Sequence, residues 1–240
     1  MRVATYNVHD CVGRDGRFGP GRIAEVLAEL DAEVIALQEV TLDRAGELIR
    51  LFEAATALRA TDGTVFERGV GRYGNVVLTR HAVTAPRLHD LSCVGREPRG
   101  AIDVVIEMNG GPLRVCATHL GLARSERKRQ IDRLCALLCG RPGAALLLGD
   151  FNVWWGSTAL APLAAGGFEH VRVPSFPTWP CPVISLDRIF ALAPLLIARC
   201  WRHDSPLARI ASDHFPLLAD LQIRLRGTTP GTRREALASR

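Results

Sequence analysis

The sequence predicts an α/β domain in which strands are buried beneath helices. Apolar runs alternate with helically periodic segments early in the chain, and short β-rich runs dominate later. Residues 144–148 are apolar throughout, as in a strand buried on both faces, although a buried helix segment would have the same periodicity. These observations favour a mixed domain built in layers.

The first part of the chain is predicted to alternate strands and helices. The elements are a strand over residues 2–9, a loop over 10–21, a helix carrying Ile23, Val26, Leu27 and Leu30, a strand over 34–39, a helix over 43–55, a glycine-rich turn over 69–74 and a strand over 75–79. Residues 81–100 show no clear periodicity, so we expect them to be irregular.

Strands dominate the predicted second part. It contains strands over 101–108 and 113–118 joined by an Asn109-Gly110-Gly111 hairpin, an amphipathic helix over 124–139, the buried run at 144–148, a short helix over 157–164, a proline-rich loop over 174–182 and strands over 185–191, 195–200 and 215–223. We expect one domain over residues 1–225, with residues 226–240 as a mobile tail that has little to bury.

Composition limits the function. The 240-residue chain has a net charge of +5, which tolerates an anionic substrate without indicating nucleic-acid binding. Lys128 is the only lysine, which excludes a phosphate-loop or Schiff-base lysine elsewhere. The seven cysteines are scattered and odd in number, as in a reduced protein, and no run resembles a signal peptide or membrane span. We therefore expect a cytoplasmic protein.

Polar side chains recur where apolar strands end. They are Asn7, Glu39, His119, Asp150, Asn152, Asp187, Asp213 and His214. Six segments with this feature indicate one face at which strand ends converge. Two carboxylates about 4 Å apart repel by roughly 4 kcal/mol at an effective dielectric constant of about 20, so a cation must offset four acids. Oxygen donors from Glu39, Asp213 and Asn7 suit Mg²⁺ or Mn²⁺, and the set predicts attack of water on a phosphate ester.

Each of these residues also has a purely structural interpretation. Asp150 and Asn152 are common turn residues, Asn7 could cap a strand, and His119 could be a hydrogen-bonded core histidine. Asp187 stands within an apolar strand, where an unpaired carboxylate would cost several kcal/mol, so we expect it to have a partner. Trp154 and Trp155 either pack in the core or form an apolar rim that touches a lipid or a base.

Six short segments together resemble the motifs of the endonuclease/exonuclease/phosphatase superfamily. They are Tyr6-Asn7-Val8-His9, Leu37-Gln38-Glu39, Thr118-His119-Leu120, Gly149-Asp150-Phe151-Asn152, Leu186-Asp187-Arg188-Ile189 and Ser212-Asp213-His214, in the family's order. The superfamily includes pancreatic-type deoxyribonucleases, abasic-site endonucleases, sphingomyelinases and inositol-polyphosphate phosphatases. The resemblance implies a four-layer α/β/β/α sandwich of the deoxyribonuclease-like type and metal-dependent hydrolysis of a phosphoester.

The resemblance also implies a role for each residue. Glu39 would be the principal metal ligand, assisted by Asn7 and Asp213. Asp150 would orient and deprotonate the attacking water, and Asn152 would hold that water or a phosphate oxygen. His214, which Asp187 fixes in place, and His119 would contact the phosphate from opposite sides. Either Arg96 or Arg99 matches an arginine of the deoxyribonucleases, and we favour Arg99. His9 stands where many nucleases of the family carry an acid or an amide, and we expect it at the surface or in a loop.

These inferences predict a Mg²⁺- or Mn²⁺-dependent phosphodiesterase or phosphomonoesterase. A small or lipid phosphoester is the preferred substrate, with contact through Trp154 and Trp155, and DNA or RNA ranks second because the chain is short and its charge modest. A non-catalytic phosphate-binding module on the same fold is a further alternative. No obligate protein partner is evident. Gly-x-Ser-x-Gly and His-Glu-x-x-His motifs are absent from the sequence.

Overall fold

The computed structural model describes residues 1–42, 46–69, 71–108, 110–154 and 158–223. The strands are β1 Arg2–Asn7, β2 Val34–Leu42, β3 Arg59–Arg68, β4 Gly71–Thr79, β5 Val83–Asp90, β6 Gly100–Met108, β7 Gly111–His119, β8 Ala144–Asp150, β9 Phe168–His170, β10 Asp187–Leu192, β11 Leu195–Arg202 and β12 Leu217–Ile223. The helices are α1 Pro20–Glu29, α2 Glu47–Thr56, α3 Arg124–Leu138, α4 Ala161–Ala165 and α5 Ala208–Ala211.

The strands form two six-stranded sheets. The first has the order β11-β12-β1-β2-β4-β3 and the second β5-β6-β7-β8-β10-β9. Each sheet is mixed, with one parallel pair, β1 with β2 and β7 with β8, among antiparallel neighbours. Parallel pairing brings the carboxyl ends of two strands to one edge, which is where the candidate site lies.

Three clusters of buried apolar residues fill the spaces between the layers. The middle cluster contains residues of both sheets, including Val3 and Leu146, whereas the outer clusters join the first sheet to α1, α2 and α5 and the second sheet to α3 and α4. Leu146 and Leu148 pack between the sheets while Leu147 packs beneath the helices, so the run at 144–148 is buried on both faces. This arrangement confirms the predicted four-layer α/β/β/α sandwich.

Several local predictions were wrong, chiefly at sheet edges. β3 was not predicted, β4 begins at Gly71 inside the predicted turn, and β5 lies within the segment expected to be irregular. β3 and β5 are edge strands, and β5 is almost entirely exposed, so neither needs an alternating apolar pattern. The predicted tail and the start of the short helix at Ser157 lie outside the described residues. Within the described ranges, no helix is long and apolar enough to cross a bilayer.

Candidate active site

Strand register places Asp150 at the centre of the candidate site. β7 runs parallel to β8 with His119 opposite Asp150, and β10 runs antiparallel to β8 with Asp187 opposite Asp150 on the other side. Gly149 permits this close approach, because its φ is 147° and a Cβ there would lie 1.8 Å from the carbonyl oxygen of Thr118. Three predicted site residues are therefore neighbours across one sheet.

A bulge in β2 turns Glu39 toward the same place. The pairing of β2 with β4 shifts register between Leu37 and Val40, and Glu39 has a left-handed φ of 57°. Leu37 and Val40 pack into one cluster, which regular alternation would not allow, so an extra residue is inserted between them. The Nδ2 of Asn7, at the end of β1, donates hydrogen bonds to Glu39 Oε1 at 2.8 Å and to Asp150 Oδ2 at 3.1 Å.

Asp150 Oδ2 is surrounded by potential donors. Besides the Asn7 amide, His119 Nε2 lies 3.6 Å away and His214 Nε2 lies 3.8 Å away. The other oxygen, Oδ1, accepts the backbone N–H of Asn152 at 2.8 Å. Burial raises the pKa of Asp150 to about 6, despite the opposing effect of the His214 charge.

His214 is held by a buried carboxylate. Its Nδ1 lies 2.9 Å from Asp187 Oδ2, which also accepts a 2.6 Å hydrogen bond from the hydroxyl of Ser175. Burial alone would lower the pKa of His214, but the charge and hydrogen bond of Asp187, together with the charges of Asp150 and Asp213, raise it to about 10. His214 is therefore an imidazolium at neutral pH, and Asp187 has the partner that its burial requires.

His119 differs from His214 in its neighbours and in the direction in which its pKa is shifted. Its Nδ1 lies 3.4 Å from Arg99 Nη1 and its Nε2 lies 3.1 Å from the Asn152 amide nitrogen, so both ring nitrogens face donors. Burial, and then the charges of Arg99 and His214, hold the pKa of His119 well below its usual value. Among the described residues, no carboxylate oxygen lies within hydrogen-bonding distance of His119; Asp150 is closest at 3.6 Å. The neighbour on Nδ1 is thus the Arg99 guanidinium.

The arginine beside His119 is Arg99, whereas Arg96 lies exposed in the preceding turn. Arg99 is buried and its Nη1 also pairs with Glu97 at 2.8 Å. Its Nε has no partner within the described part of the chain. A small open cleft lies here, lined by Glu39, Arg99, His119, Val65 and Tyr73, among others.

Asp213 joins the site through its neighbours. The hydroxyl of Ser212 donates to the main-chain oxygen of Asn7 at 2.8 Å, which ties this turn to the end of β1. Asp213 is partly exposed, and its Oδ1 lies 3.9 Å from the Nδ1 of His9. His9, which was predicted to lie at the surface or in a loop, has a side chain that is 45% exposed, and its backbone N–H donates to Asn7 Oδ1 at 3.0 Å.

The structure thus brings all the predicted polar residues into one connected region. Ligand atoms of Asp150, Asp187 and His214 lie within 4.8 Å of one another, a spacing at which they could hold a metal ion only if His214 lost its proton. Sequence analysis missed Ser175, whose hydroxyl fixes Asp187 from a distant loop, and the sequence contains no signal that identifies it.

Aromatic rings border the His214 side of the site. The Phe176 ring lies 4.8 Å from the His214 ring, and Trp154 packs edge-on against Phe176 at 5.7 Å, both measured between centroids. Trp154 is 40% exposed, so it is a rim residue and not part of the core. Trp155, the other tryptophan considered for a rim, lies outside the described residues.

Comparisons with known proteins agree with this fold. A structure described as an endonuclease/exonuclease/phosphatase from Beutenbergia cavernae has a TM-score of 0.80 at 22% identity, covering 93% of this chain and 71% of that chain. The Bacteroides thetaiotaomicron mannosyl-6-phosphatase Bt3783 has a TM-score of 0.72 at 17% identity, covering 93% and 100%. TDP2 of D. rerio, complexed with a single-strand DNA product, has a TM-score of 0.72 at 16% identity, covering 92% and 98%.

These three likenesses, each below 25% identity, concern the fold. No curated protein matched the chain. The model of the Endonuclease/Exonuclease/phosphatase family matches residues 4–214, which is most of the sequence and includes every motif described above. The chain therefore belongs to the endonuclease/exonuclease/phosphatase family.

Proposed function

We propose that the protein is a divalent-metal-dependent hydrolase that uses an Asp150-activated water to cleave a phosphoester. Members of the family are phosphoester hydrolases. The observation that carries the proposal is the position of Asp150 Oδ2, which faces the Asn7 amide and the two histidines at 3.1–3.8 Å.

The residues present fit a hard divalent ion, Mg²⁺ or Mn²⁺. Glu39, Asn7 and Asp213 offer oxygen donors, and Glu39 and Asp150 direct carboxylate oxygens at one amide nitrogen. When bound, such an ion offsets the repulsion of the acids and polarises a phosphoryl oxygen. We assign Glu39 as the principal ligand, with Asn7 and Asp213 assisting, and expect Asp150 and Asp187 to remain committed to water and to His214.

Side chains of the protein would then accept the proton of the water and stabilise the phosphoryl group. Asp150, with a pKa of about 6, is placed to orient water and to accept its proton at Oδ2 near neutral pH. His214, held charged by Asp187, donates from Nε2 to a phosphoryl oxygen. His119, Asn152 and Arg99 supply donors from the opposite side, where negative charge grows on the non-bridging oxygens.

A small-molecule or lipid phosphoester is the favoured substrate class. The Trp154–Phe176 pair supports it, because an exposed aromatic edge beside His214 suits the apolar part of an ester. The similar fold of a mannosyl-6-phosphatase is consistent with a monoester. The alternative is a Mg²⁺-dependent nuclease, which is supported by the likeness to TDP2 bound to a DNA product.

The proposal includes a cytoplasmic location without an obligate protein partner. All seven cysteines lie within the described ranges and are free, as expected in a reducing compartment. A non-catalytic phosphate-binding module remains the lesser alternative, which the following experiment would reveal as ligand binding without turnover.

The test uses bis-p-nitrophenyl phosphate and p-nitrophenyl phosphate with Mg²⁺, with Mn²⁺ and with chelator. We expect metal-dependent turnover that falls by about 10²-fold or more in Asp150→Asn, which keeps the shape but not the basic oxygen. Asp132→Asn is the matched control, because Asp132 pairs with Lys128 on the exposed face of α3. Turnover that is indifferent to both chelator and Asp150→Asn would refute the proposal.

A further inference from the structure

The loop that precedes β10 carries an exposed apolar tip. Residues 173–186 contain no charged side chain. Trp179 is 65% exposed and Val183 is 63% exposed, with Pro180 and Cys181 also exposed between them. Contiguous exposed apolar side chains of this kind mark interaction sites.

The base of this loop is fixed by main-chain bonds. Phe176 N–H donates to the carbonyl oxygen of Ile184 at 3.0 Å, and Ile184 N–H donates to that of Phe176 at 2.9 Å. The two bonds close the segment into a narrow hairpin whose tip holds Trp179. The exposure of Trp179 therefore follows from the conformation of a hydrogen-bonded hairpin.

The same loop is hydrogen-bonded to the turn that carries Asp213 and His214. Thr178 donates its N–H to the main-chain oxygen of Asp213 at 2.9 Å, and its hydroxyl donates to that of Ser212 at 3.1 Å. The Phe176 ring contacts the His214 ring. A surface that receives the tip would consequently lie beside Asp213 and His214.

A basic group accompanies the tip. The Arg14 guanidinium lies 4.9 Å from the centre of the Trp179 ring. An apolar tip with a neighbouring arginine combines apolar insertion with attraction to anionic headgroups, which are the two contributions to binding at a lipid interface. Single-stranded nucleic acid would instead need a basic groove that follows the phosphates, which an uncharged stretch of this length does not supply.

We propose that the tip around Trp179 docks the protein on an anionic phospholipid surface, beside which the active site meets a phosphoester headgroup. The choice of substrate rests on the proposed hydrolysis, but docking itself requires no turnover. The loop thereby narrows the substrate class from any small phosphoester to one presented at a lipid interface.

The test is sedimentation of the full chain with vesicles of phosphatidylcholine, alone or mixed with phosphatidylglycerol. We expect binding to the mixed vesicles that weakens with salt and falls by about tenfold or more in Trp179→Ser, because insertion of a tryptophan contributes more than the roughly 1.4 kcal/mol of a tenfold change. Leu88→Ser is the matched control: Leu88 is 58% exposed on β5, at the edge of the second sheet far from β10.

Val183→Ser tests the same tip without removing the ring that stacks on Arg14, and thermal unfolding midpoints report whether either variant disturbs the fold. Failure of the unmodified chain to bind mixed vesicles would overturn the proposal, as would equal binding by Trp179→Ser, Val183→Ser and Leu88→Ser. Trp179-dependent binding of single-stranded DNA without vesicle binding would overturn it in favour of nucleic acid. Hydrolysis of the soluble nitrophenyl esters requires no vesicle, so it distinguishes failure of docking from failure of the proposed function.

Discussion

Replacing Asp187 with asparagine should destabilise the protein in a pH-dependent manner. Asp187 is fully buried, and its Oδ2 lies 2.9 Å from the charged His214 ring. Removing one partner of a buried ion pair costs about 3–5 kcal/mol, and we expect the lower end because the asparagine oxygen can still accept the Nδ1–H bond. The loss should appear as a lower free energy of unfolding in urea.

The sign of the pH dependence follows from His214. Its pKa rises from 6.5 to about 10 on folding, so its protonation contributes stability that is complete below pH 6.5 and is lost as the pH rises toward 10. The difference in the free energy of unfolding between the natural chain and Asp187→Asn should therefore be largest at about pH 6. It should shrink through about pH 8 to 10, when measured in buffer with chelator. Because the charges of His214 and Asp187 both act on the pKa of Asp150, which is about 6, the decisive range is about pH 7 to 10, above the titration of Asp150.

Ser175→Ala provides the control for this measurement. It removes the neutral hydrogen bond to the same Asp187 oxygen, 2.6 Å long, and leaves the carboxylate charge in place. We expect it to cost about 1 kcal/mol at every pH. If the difference in the free energy of unfolding between the natural chain and Asp187→Asn is constant with pH, or grows from about pH 7 to 10, the assignment of a charged His214 is refuted.

Two further predictions concern the backbone and the thiols. Gly149→Ala should lower the thermal unfolding midpoint severely, because its Cβ would lie 1.8 Å from the Thr118 oxygen, whereas Gly21→Ala in α1 should raise it slightly since nothing lies within 4 Å. Equal midpoints would contradict the close approach of β7 and β8. A disulfide reagent should modify the exposed Cys181 first and spare Cys11 in the native state, because burial raises the pKa of the Cys11 thiol to about 12; rapid modification of Cys11 would contradict the packing.

The sequence predicted features that leave a local pattern. The unalternated run at 144–148 identified a doubly buried strand, and the polar residues after apolar strands identified the edge where Asn7, Glu39 and Asp150 meet. Six motifs in the family's order predicted the sandwich, because their resemblance to the family implies its fold.

The features that sequence analysis missed depend on contacts between distant segments. β3 and β5 have no apolar alternation, because an edge strand with an exposed face does not need one. The bulge at Glu39 follows from packing Leu37 and Val40 on the same side, which is a property of the core and not of the strand alone. The contact between Arg99 and His119 joins the residue just before β6 to the end of β7, in a sheet whose register the sequence does not state.

The two histidines beside Asp150 show why such distant contacts determine the chemistry. Both are buried, and their Nε2 atoms lie 3.6 and 3.8 Å from the same carboxylate oxygen. They differ in what faces Nδ1, which is a guanidinium for His119 and a carboxylate for His214, and their pKa values move in opposite directions. If both rings were charged, two cations would lower the pKa of Asp150 and weaken it as a base. In the mechanism that we propose, the neutral state of His119 would therefore help to keep Asp150 basic enough to accept a proton from water, and Arg99 helps to maintain that neutral state.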